Sequence, residues 1–334
     1  DLCGWWDLDG VPVKYVPYRI LPPWGLHGWL YTRAMMRGID ELFRQFPFDL
    51  IHAHTAYLDG SAGRAIAKKF NRPMIITEHT GPFSILMNNR LVRQCTLRSL
   101  GKSRRVIAVS SAQRNAMRCH WDNGVNDRLI VVPNMVDTDL FHPSRQWKPD
   151  QAAPRILFVG YFVPIKGLPI LLEAFKLLRQ ELPAATLTLV GGGENAAQED
   201  ELNRDLQRSG LDRHVRVLSH QPRTEIARLM REECDMLVLS SHSETFGCVV
   251  IEALASGKPV VSTKCGGPED VLSDKWLGRL CEPGRADALA EAMLDVARRI
   301  WEFDPAHPPE AAETRFGHRS VATRIRDVYQ SVLQ

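Results

Sequence analysis

The stretch that decides the fold class of this 334-residue chain is residues 235–263, DMLVLSSHSETFGCVVIEALASGKPVVST. Its apolar run Asp235–Ser240 predicts a strand, Gly247–Ser256 has the spacing of a helix, and Pro259–Thr263 predicts a second strand. Gly257, followed two residues later by a proline, is typical of the end of a helix. A strand, a helix and a strand in this order predict one unit of a parallel α/β sheet.

The same alternation continues along the chain and predicts a parallel, doubly wound α/β fold. Further strands are predicted at Val11–Ile20, Phe48–His54, Pro73–His79, Arg105–Ser110, Leu129–Pro133, Arg155–Gly160, Ala185–Val190 and Val215–Leu218. Helices are predicted at Gly28–Gln45, Ser61–Phe70, Pro169–Leu182, Glu199–Ser209, Thr224–Glu232 and Thr314–Leu333.

The length of the chain suits two domains of ordinary size. Residues 142–154 (HPSRQWKPDQAAP) contain three prolines and little periodicity, which is typical of a linker. We therefore expect a first domain over residues 1–146, a second over 147–313, and a terminal helix over 314–334.

The composition excludes several classes of protein. Hydrophobic residues make up 44% and charged residues 24% of the chain, as in soluble globular proteins. No run approaches the roughly 18 uncharged apolar residues that a membrane span needs. The seven cysteines are odd in number and include no CxxC pair, which argues against a disulfide scaffold or a zinc site. This usage fits a reducing cytosol, so we expect a cytoplasmic protein.

The net charge of +3 conceals an asymmetry between the two halves. Residues 1–150 carry 20 basic and 13 acidic side chains, whereas the rest of the chain carries 22 basic and 26 acidic ones. The excess lies largely between Arg90 and Arg128, where nine basic residues face two acidic ones. Such a face can meet nucleic acid, anionic lipid or a phosphorylated substrate, or can be solvated surface without a special role.

The strongest candidate site is SHSETFGCVVIE, residues 241–252, because polar residues follow a strand directly and precede a helix. The helix start offers free amide groups and the positive end of the helix dipole, and Gly247 permits a ligand close to the backbone. Glu244 lies just outside the helix and Glu252 about one and a half turns into it. One carboxylate can accept hydrogen bonds from a sugar and the other from ribose hydroxyls, although ordinary helix-capping acids have the same spacing.

Two further candidates follow other strands. Lys166 stands on a short loop after the strand that ends at Gly160, in FVGYFVPIKG, and can neutralise a phosphate, although a plain surface lysine looks the same. His79 follows the strand PMIITE and can contact a sugar or exchange a proton, although packing explains such a histidine equally well. His52 and His54, at the end of the preceding strand, are weaker candidates.

Two familiar patterns are weak here. Residues 191–196 fit the dinucleotide fingerprint, but they follow the second strand of their domain and no acidic residue ends the next strand, which favours a turn. Residues 7–9 and 137–139 both spell DxD, a pattern that binds a divalent metal in some sugar transferases. No third ligand is placed nearby, so we expect no metal.

At these motifs the sequence resembles glycosyltransferase family 4, the retaining enzymes of GT-B fold. The resemblance covers nearly the whole chain and rests in the second half on FVGYFVPIKG, LVGGGE, ETFGCVVIE, EALASGKPVVSTKCGGPEDV and GRLCEPG. In the first half it rests on TEHTGPFS, VSSAQRNAM and VPNMVDTDLFHP. The two glutamates seven residues apart in ETFGCVVIE are its most specific part.

The resemblance implies two Rossmann-like domains facing a cleft, with the acceptor on the first, the donor on the second, and the last helix crossing back to the first. It implies a UDP-, GDP- or ADP-sugar as donor, no cofactor, and a glycan or lipid-linked acceptor in cell-envelope polysaccharide synthesis. In that family pattern Lys166 contacts the donor diphosphate, Glu252 the ribose, and Glu244 with the nearby backbone the transferred sugar, which His79 reaches from the first domain. The implied catalytic residues are His79, Lys166 and Glu244, and the implied donor-binding residues are Gly160, Lys166, Glu244, Phe246, Gly247, Cys248 and Glu252.

The chain departs from the family pattern in two places. Tyr161 stands where the family usually has an arginine, which removes a second cation from the diphosphate. The family's opening strand and glycine-rich loop have no counterpart, so we expect an N-terminally truncated enzyme. Both departures favour an alternative, a non-catalytic protein that binds nucleotides or glycans. A nicotinamide-dependent dehydrogenase is favoured only by Gly191–Gly193.

The last expectation concerns location. Residues 21–36 (LPPWGLHGWLYTRAMM) bring Trp24, Trp29 and Tyr31 together with leucines in the basic half of the chain. Aromatic rings beside positive charge suit the headgroup layer of an anionic membrane, although packing against the first sheet explains them equally well. We expect peripheral contact with the inner membrane face and no nucleic-acid partner.

Overall fold

A computed structural model describes residues 4–18, 20, 27–121, 127–193, 196–303 and 306–334. The chain forms two compact units, Asp1–Val132 together with Arg324–Gln334, and Pro133–Thr323. Each unit has its own parallel sheet. Across the described ranges, every helix is too short or too polar to cross a bilayer.

This division falls ahead of the boundary predicted after residue 146. The predicted linker, residues 142–154, lies within the second unit. There the Trp147 indole packs against the apolar core and donates a hydrogen bond to Asp235 Oδ1 over 3.0 Å. The prolines of this segment therefore mark an irregular but anchored stretch of chain.

The first unit opens with an antiparallel hairpin of β1 (Gly4–Leu8) and β2 (Val11–Tyr15). Its parallel sheet has the order β3-β4-β5-β6, made of β3 (Ile51–His54), β4 (Met74–Glu78), β5 (Arg105–Ala108) and β6 (Leu129–Val131). Its helices are α1 (His27–Met36), α2 (Ile39–Gln45), α3 (Leu58–Phe70), α4 (Arg90–Lys102) and α5 (Ser111–Arg118). Ile76 and Val106 of the central strands are fully buried, as an apolar run in a covered parallel sheet should be.

Two predictions for this unit are wrong. The strand predicted at Val11–Ile20 ends at Tyr15 and pairs with β1 instead of joining the parallel sheet. Asp9 and Gly10, with φ of 52° and 82°, form the tight turn that folds these strands into a hairpin. The helix predicted at Gly28–Gln45 is two helices, because Gly38, with φ of 72°, begins α2 in a left-handed conformation.

The second unit has a six-stranded parallel sheet in the order β12-β11-β10-β7-β8-β9. Its strands are β7 (Arg155–Val159), β8 (Thr186–Val190), β9 (Val215–Leu218), β10 (Met236–Leu239), β11 (Val260–Thr263) and β12 (Gly278–Cys281). Its helices are α6 (Leu168–Glu181), α7 (Ala196–Arg208), α8 (Arg223–Glu232), α9 (Cys248–Ala255), α10 (Gly267–Val271), α11 (Ala286–Arg298) and α12 (His307–Phe316). This is the order of a doubly wound sheet, in which the strands are added outward in one direction from β7 and in the other from β10.

The terminal helix predicted at Thr314–Leu333 is also two helices. α12 ends at Phe316, and α13 runs from His318 to Leu333. Gly317 between them is extended, with φ of −62° and ψ of 155°, and pairs with Val136 in an isolated bridge. Along the chain, the residues of α13 from Arg324 onward belong to the first unit.

Candidate functional site

The candidate site of the second unit lies at the carboxyl ends of β7 and β10, where the winding of the sheet reverses. In sheets of this kind the helices diverge at that point and leave a crevice for a ligand. The loop after β7 carries Lys166, and the loop after β10 carries Glu244. The sequence places both residues after strands, and the sheet order explains why these two strands are neighbours.

Lys166 and Glu244 form an ion pair, with Nζ 2.6 Å from Oε1. The Ser241 hydroxyl donates to the same carboxylate oxygen over 2.7 Å. The Ser240 hydroxyl donates to the backbone carbonyl of Lys166 over 2.8 Å. Both charged side chains keep partial exposure, 24% for the lysine and 12% for the glutamate, so a ligand can reach them.

A glycine allows the two loops to approach closely. Gly167 has φ of 65°, and a Cβ there would lie 2.2 Å from the carbonyl oxygen of Ser240. An alanine would therefore push the Lys166 loop away from the end of β10. The KG motif thus combines a cation, Lys166, with a glycine whose close backbone contact positions that cation.

The start of α9 adds free amide groups beside this pair. Gly247 begins the helix with φ of 86° and ψ of 61°, and no side chain caps it. The first amides of a helix have no partner within the helix and form a positive end that binds anions. Phe246 fixes the loop, since its ring is buried and lies edge-on to Phe316 at 5.8 Å. Cys248 Sγ accepts a hydrogen bond from Asn134 Nδ2 at 3.4 Å.

The backbone of Glu244 is fixed independently of its side chain. Its N–H donates to the carbonyl of Cys265 over 2.7 Å, and its carbonyl accepts from the N–H of Gly267 over 3.1 Å. A Cβ on Gly267 would lie 2.2 Å from the Cα of Phe246, so the loop and α10 are in contact at the backbone level. Residues 266–269 (GGPE) therefore hold the loop of residues 244–247 (ETFG) in place.

Glu252 lies further along α9, with 14% of its side chain exposed. Burial raises the pKa of its carboxyl to about 7, while the opposite charge of Arg223 acts in the other direction. Arg223 Nη2 lies 2.9 Å from Oε1, and its guanidinium is 5.4 Å from the centre of the Phe141 ring. Sequence reasoning missed Arg223, although its place in the first turn of the helix after β9 puts it at the same end of the sheet.

A pocket of about 150 Å³ adjoins this end of the sheet between the loops after β7, β8 and β9. Its lining residues include Gly160, Tyr161, Gly191 and His220. Tyr161 is 64% exposed. A Cβ on Gly191 would lie 1.9 Å from the carbonyl oxygen of Gly160, so the glycine run permits close packing of two loops. The close packing of the two loops therefore accounts for Gly191, and a bound dinucleotide is not needed to explain this glycine.

In the first unit, His79 belongs to a cluster of three histidines at the ends of β3 and β4. His79 Nε2 lies 3.0 Å from His54 Nδ1, and His54 stacks on His52 with ring centres 4.5 Å apart. His52 hydrogen bonds Tyr329 Oη and Thr77 Oγ1, each over 2.7 Å. Burial, and next the charge of His54, lower the pKa of His79, and burial lowers that of His52 to about 4. These two imidazoles are therefore neutral at pH 7.

Glu78 holds the loop that presents His79. It is fully buried, and its Oε1 accepts from the N–H groups of His79 and Thr80 over 2.9 and 2.7 Å. Its Oε2 accepts from the N–H of Ala56 over 2.8 Å. The dipeptide Glu78–His79 therefore joins a buried carboxylate, which fixes the loop, to an exposed histidine.

The first aspartate of each DxD sequence caps a turn. Asp7 Oδ1 accepts from Gly10 N–H, and Asp137 Oδ1 accepts from the N–H groups of Asp139 and Leu140. Over the residues that the structure describes, no three His, Cys, Asp or Glu side chains converge as metal ligands would.

The aromatic stretch at residues 21–36 lies partly outside the described residues, which begin again at His27. Trp29 is 58% exposed, and the guanidinium of Arg33 lies 5.5 Å from its ring centre. Tyr31 instead donates a hydrogen bond to the Asp59 carboxylate. The side chains of α1 therefore divide between an outward and an inward face.

Comparison with known proteins places both units in one class. Residues 6–140 match the family model described as glycosyltransferase family 4, and residues 143–299 match the one described as glycosyl transferases group 1. An uncharacterized glycosyltransferase of Methanocaldococcus jannaschii is 30% identical over 74% of this chain, which spans 65% of that relative's length.

A D-inositol 3-phosphate glycosyltransferase of Jonesia denitrificans is 31% identical over 86% of this chain and 73% of its own length. Among solved structures, Anabaena HepE in complex with UDP and glucose is similar, with a TM-score of 0.77. It shares 22% identity over 96% of this chain and 87% of its own, a level that establishes the common fold.

Proposed function

Because the chain belongs to glycosyltransferase family 4, we propose that it transfers a hexose from a nucleoside diphosphate sugar to a hydroxyl of a glycan or lipid-linked acceptor. The transfer proceeds with retention at the anomeric carbon, without a metal, and serves cell-envelope polysaccharide synthesis. The observation that carries this proposal is the Lys166–Glu244 pair beside the uncapped start of α9, at the point where the sheet reverses its winding.

This arrangement suits a donor with an anionic leaving group. A diphosphate next to Lys166 draws the ammonium into a charge-assisted contact, while the amides of α9 bind its oxygens. Glu244, freed from its ion pair, then accepts hydrogen bonds from the sugar hydroxyls. The lysine and the helix start stabilise the negative charge that develops as the diphosphate departs.

The other residues have roles in holding the donor. Glu252 accepts the ribose hydroxyls when its carboxyl is ionised, and Gly160 lines the donor site next to the lysine loop. The backbone of Phe246, Gly247 and Cys248 lies against the transferred sugar. His79 is neutral, so it can donate one hydrogen bond to that sugar or accept one from it.

The similarity to Anabaena HepE supports a UDP-sugar, since that protein binds UDP and glucose in its crystal structure. A GDP- or ADP-sugar stays open for this chain. One observation favours a second function, binding without catalysis: the side chain at position 161 is an exposed tyrosine and cannot assist Lys166 as a cation.

The test is calorimetric titration of the whole chain with UDP-, GDP- and ADP-sugars, followed by measurement of nucleotide release with glycan and lipid-linked acceptors. We expect one nucleotide class to bind and to be turned over. Lys166→Ala should lower both affinity and rate, whereas Lys176→Ala, which removes an exposed charge from α6, should change neither.

Donor binding without any turnover would favour the non-catalytic alternative. Absence of binding to every nucleotide sugar, with a folded chain, would reject the proposed function altogether.

A further inference from the structure

The first unit carries a helical face that is basic along its length. α4 contains no acidic residue, and its basic residues are Arg90, Arg93, Arg98 and Lys102. Arg90, Gln94, Arg98 and Lys102 are each four residues apart, so they form one row along the helix surface. That row is exposed, whereas Ser99 and Thr96 are buried on the side that packs against the unit.

Among the described residues, the cations of α4 have no carboxylate partner, whereas some other cations of the first unit do. Lys14 pairs with Glu41, Lys69 with Asp40, and Arg72 with Asp49. In the described part of the chain, no carboxylate pairs with a basic residue of α4. The positive charge of this face is therefore free to meet an external anion.

Two apolar side chains are exposed at the start of α4 and just before it. Leu91, which lies seven residues before Arg98 and so on the same side of the helix, is 51% exposed. Ile85 is 53% exposed in the 3₁₀ turn Phe83–Met87, which leads directly into α4. A helix of 13 residues, about 20 Å long, thus presents a basic row with an apolar edge at its start.

We propose that the α4 face, defined as Arg90, Leu91, Arg98 and Lys102, together with Ile85 of the turn before it, docks on the surface of an anionic lipid bilayer. The basic row lies against the phosphate groups of the lipids, and the two apolar side chains enter the boundary between headgroups and acyl chains. A nucleic acid or another hydrophilic polyanion attracts the same cations but offers no apolar medium for Leu91 and Ile85. The pairing of charge with exposed apolar side chains therefore favours a membrane.

This assignment goes beyond the proposed transfer reaction and does not depend on it. It also differs from the membrane contact that the sequence predicts for residues 21–36, because it rests on the face of α4. The measurement is binding to lipid, so the result stays meaningful whichever donor or acceptor the protein uses.

The experiment is co-sedimentation of the whole chain with phosphatidylcholine vesicles that contain or lack phosphatidylglycerol, at rising salt. We expect binding only to the anionic vesicles, and weaker binding as salt screens the charges. Each basic residue near such a surface contributes about fivefold to partitioning, so Arg90→Gln/Arg98→Gln should bind about 25-fold more weakly.

The matched control is Arg204→Gln/Arg208→Gln on the exposed face of α7 in the second unit, which removes the same charge. It should bind as the unchanged chain does. Equal weakening by both double variants would mean that net charge alone governs binding, and would overturn the docking face. Binding of Arg90→Gln/Arg98→Gln equal to that of the unchanged chain would overturn it as well.

Leu91→Ser separates a membrane from a polyanion. It should weaken binding to anionic vesicles by about fivefold, through lost apolar burial, and leave binding to heparin unchanged. Equal vesicle binding by Leu91→Ser would show that charge alone drives adsorption, and would overturn docking through inserted apolar side chains. Because all three positions are exposed, unchanged circular dichroism and melting temperature are expected, and they confirm that each variant is folded.

Discussion

The two ends of the six-stranded sheet both bury charged groups, and they do so in different ways. At the amino end, Asp235 is fully buried and its two oxygens accept from the Trp147 indole and from the backbone and guanidinium of Arg155. At the carboxyl end, Glu244 and Glu252 each have one basic partner and keep 12% and 14% exposure.

Lys258 completes the amino end. It is fully buried, and its Nζ lies 4.2 Å from the ring centre of Trp147. Among the described residues its ammonium has no hydrogen-bond acceptor, and burial lowers its pKa to about 8. The amino end is thus closed around its charges, whereas the carboxyl end leaves carboxylates that a ligand can reach. A buried charge marks a binding site only where its remaining hydrogen-bonding capacity faces outward.

The largest effect is expected from Asp235→Ala at the closed end. It leaves the Trp147 N–H without its acceptor and, within the described chain, the Arg155 guanidinium with only the Glu232 carbonyl. Breaking a buried pair in this way costs about 3–5 kcal/mol. Urea unfolding should show that loss, while donor affinity below the melting temperature should stay unchanged. The matched control, Asp287→Ala, breaks the pair with Arg285, where both side chains are more than 60% exposed, and should cost far less because solvent screens that pair. Equal costs for the two variants would contradict the comparison.

The next largest effect is expected from Glu252→Gln at the open end. Loss of charge-assisted hydrogen bonds to the ribose should lower donor affinity about 100-fold by calorimetry. The free energy of unfolding at pH 8 should rise at the same time, by about 3 kcal/mol, because the folded chain no longer holds a desolvated carboxylate whose pKa is raised to about 7. Unchanged affinity would show that Glu252 does not contact the donor. A loss of stability would show that its carboxylate stabilises the fold, as that of Asp235 does.

Lys258→Met should stabilise the chain by about 1–3 kcal/mol at pH 7, since it removes a buried ammonium at similar volume. The folded pKa of about 8 lies below the ordinary value of 10.5, so the unfolded chain binds more protons between these values. The unchanged protein therefore gains stability as pH rises from about 8 to 10.5, and the advantage of the variant shrinks over that window. Lys176→Met, at an exposed position, should show no such dependence. Destabilisation by Lys258→Met would mean that the contact with Trp147 outweighs desolvation.

The open end of the sheet could be predicted from sequence to a greater extent than the closed end. Lys166, Glu244 and Gly247 follow strands directly, and the ends of parallel strands are where such a sheet binds ligands. The ion pair between Lys166 and Glu244 could not be predicted, because it depends on β7 and β10 being neighbours. Arg223 was missed for the same reason, since its partner Glu252 lies 29 residues away along the chain.

The fold shows the same limit. The β–α alternation predicts parallel sheets correctly, whereas single glycines, Gly38 and Gly317, divide helices whose side-chain pattern runs on through them. The strand β12 was missed, because its sequence GRLC begins with a glycine and an arginine and so lacks the apolar run that marks the other strands. Lys258 and Asp235 give no signal in sequence at all, since only the packed sheet reveals that they are buried.

A smaller effect is expected from pH on donor affinity. If ribose binds the ionised form of Glu252, affinity should be constant above pH 7 and fall by up to about tenfold for each pH unit below it, because protons compete for the carboxylate. Titration of Glu252→Gln over the same range should give a flat profile at low affinity. A tenfold fall in both proteins would assign the titration to another group, such as the donor phosphate.

The smallest effect, none, is expected from removal of metal ions. Lys166 and the amides at the start of α9 supply positive charge where the donor diphosphate is expected to lie. A divalent cation is therefore not needed to neutralise the diphosphate. The first aspartate of each DxD sequence caps a turn, with Asp137 accepting two backbone N–H groups and Asp7 one. Treatment with EDTA should therefore leave donor affinity and transfer rate unchanged.

A strict requirement for Mg²⁺ or Mn²⁺ would contradict this prediction and return attention to the DxD residues. In that event, loss of the metal response in Asp137→Asn/Asp139→Asn, but not in Asp7→Asn/Asp9→Asn, would locate the ion in the second unit. The open end of the sheet would then need a cation that its own side chains do not provide.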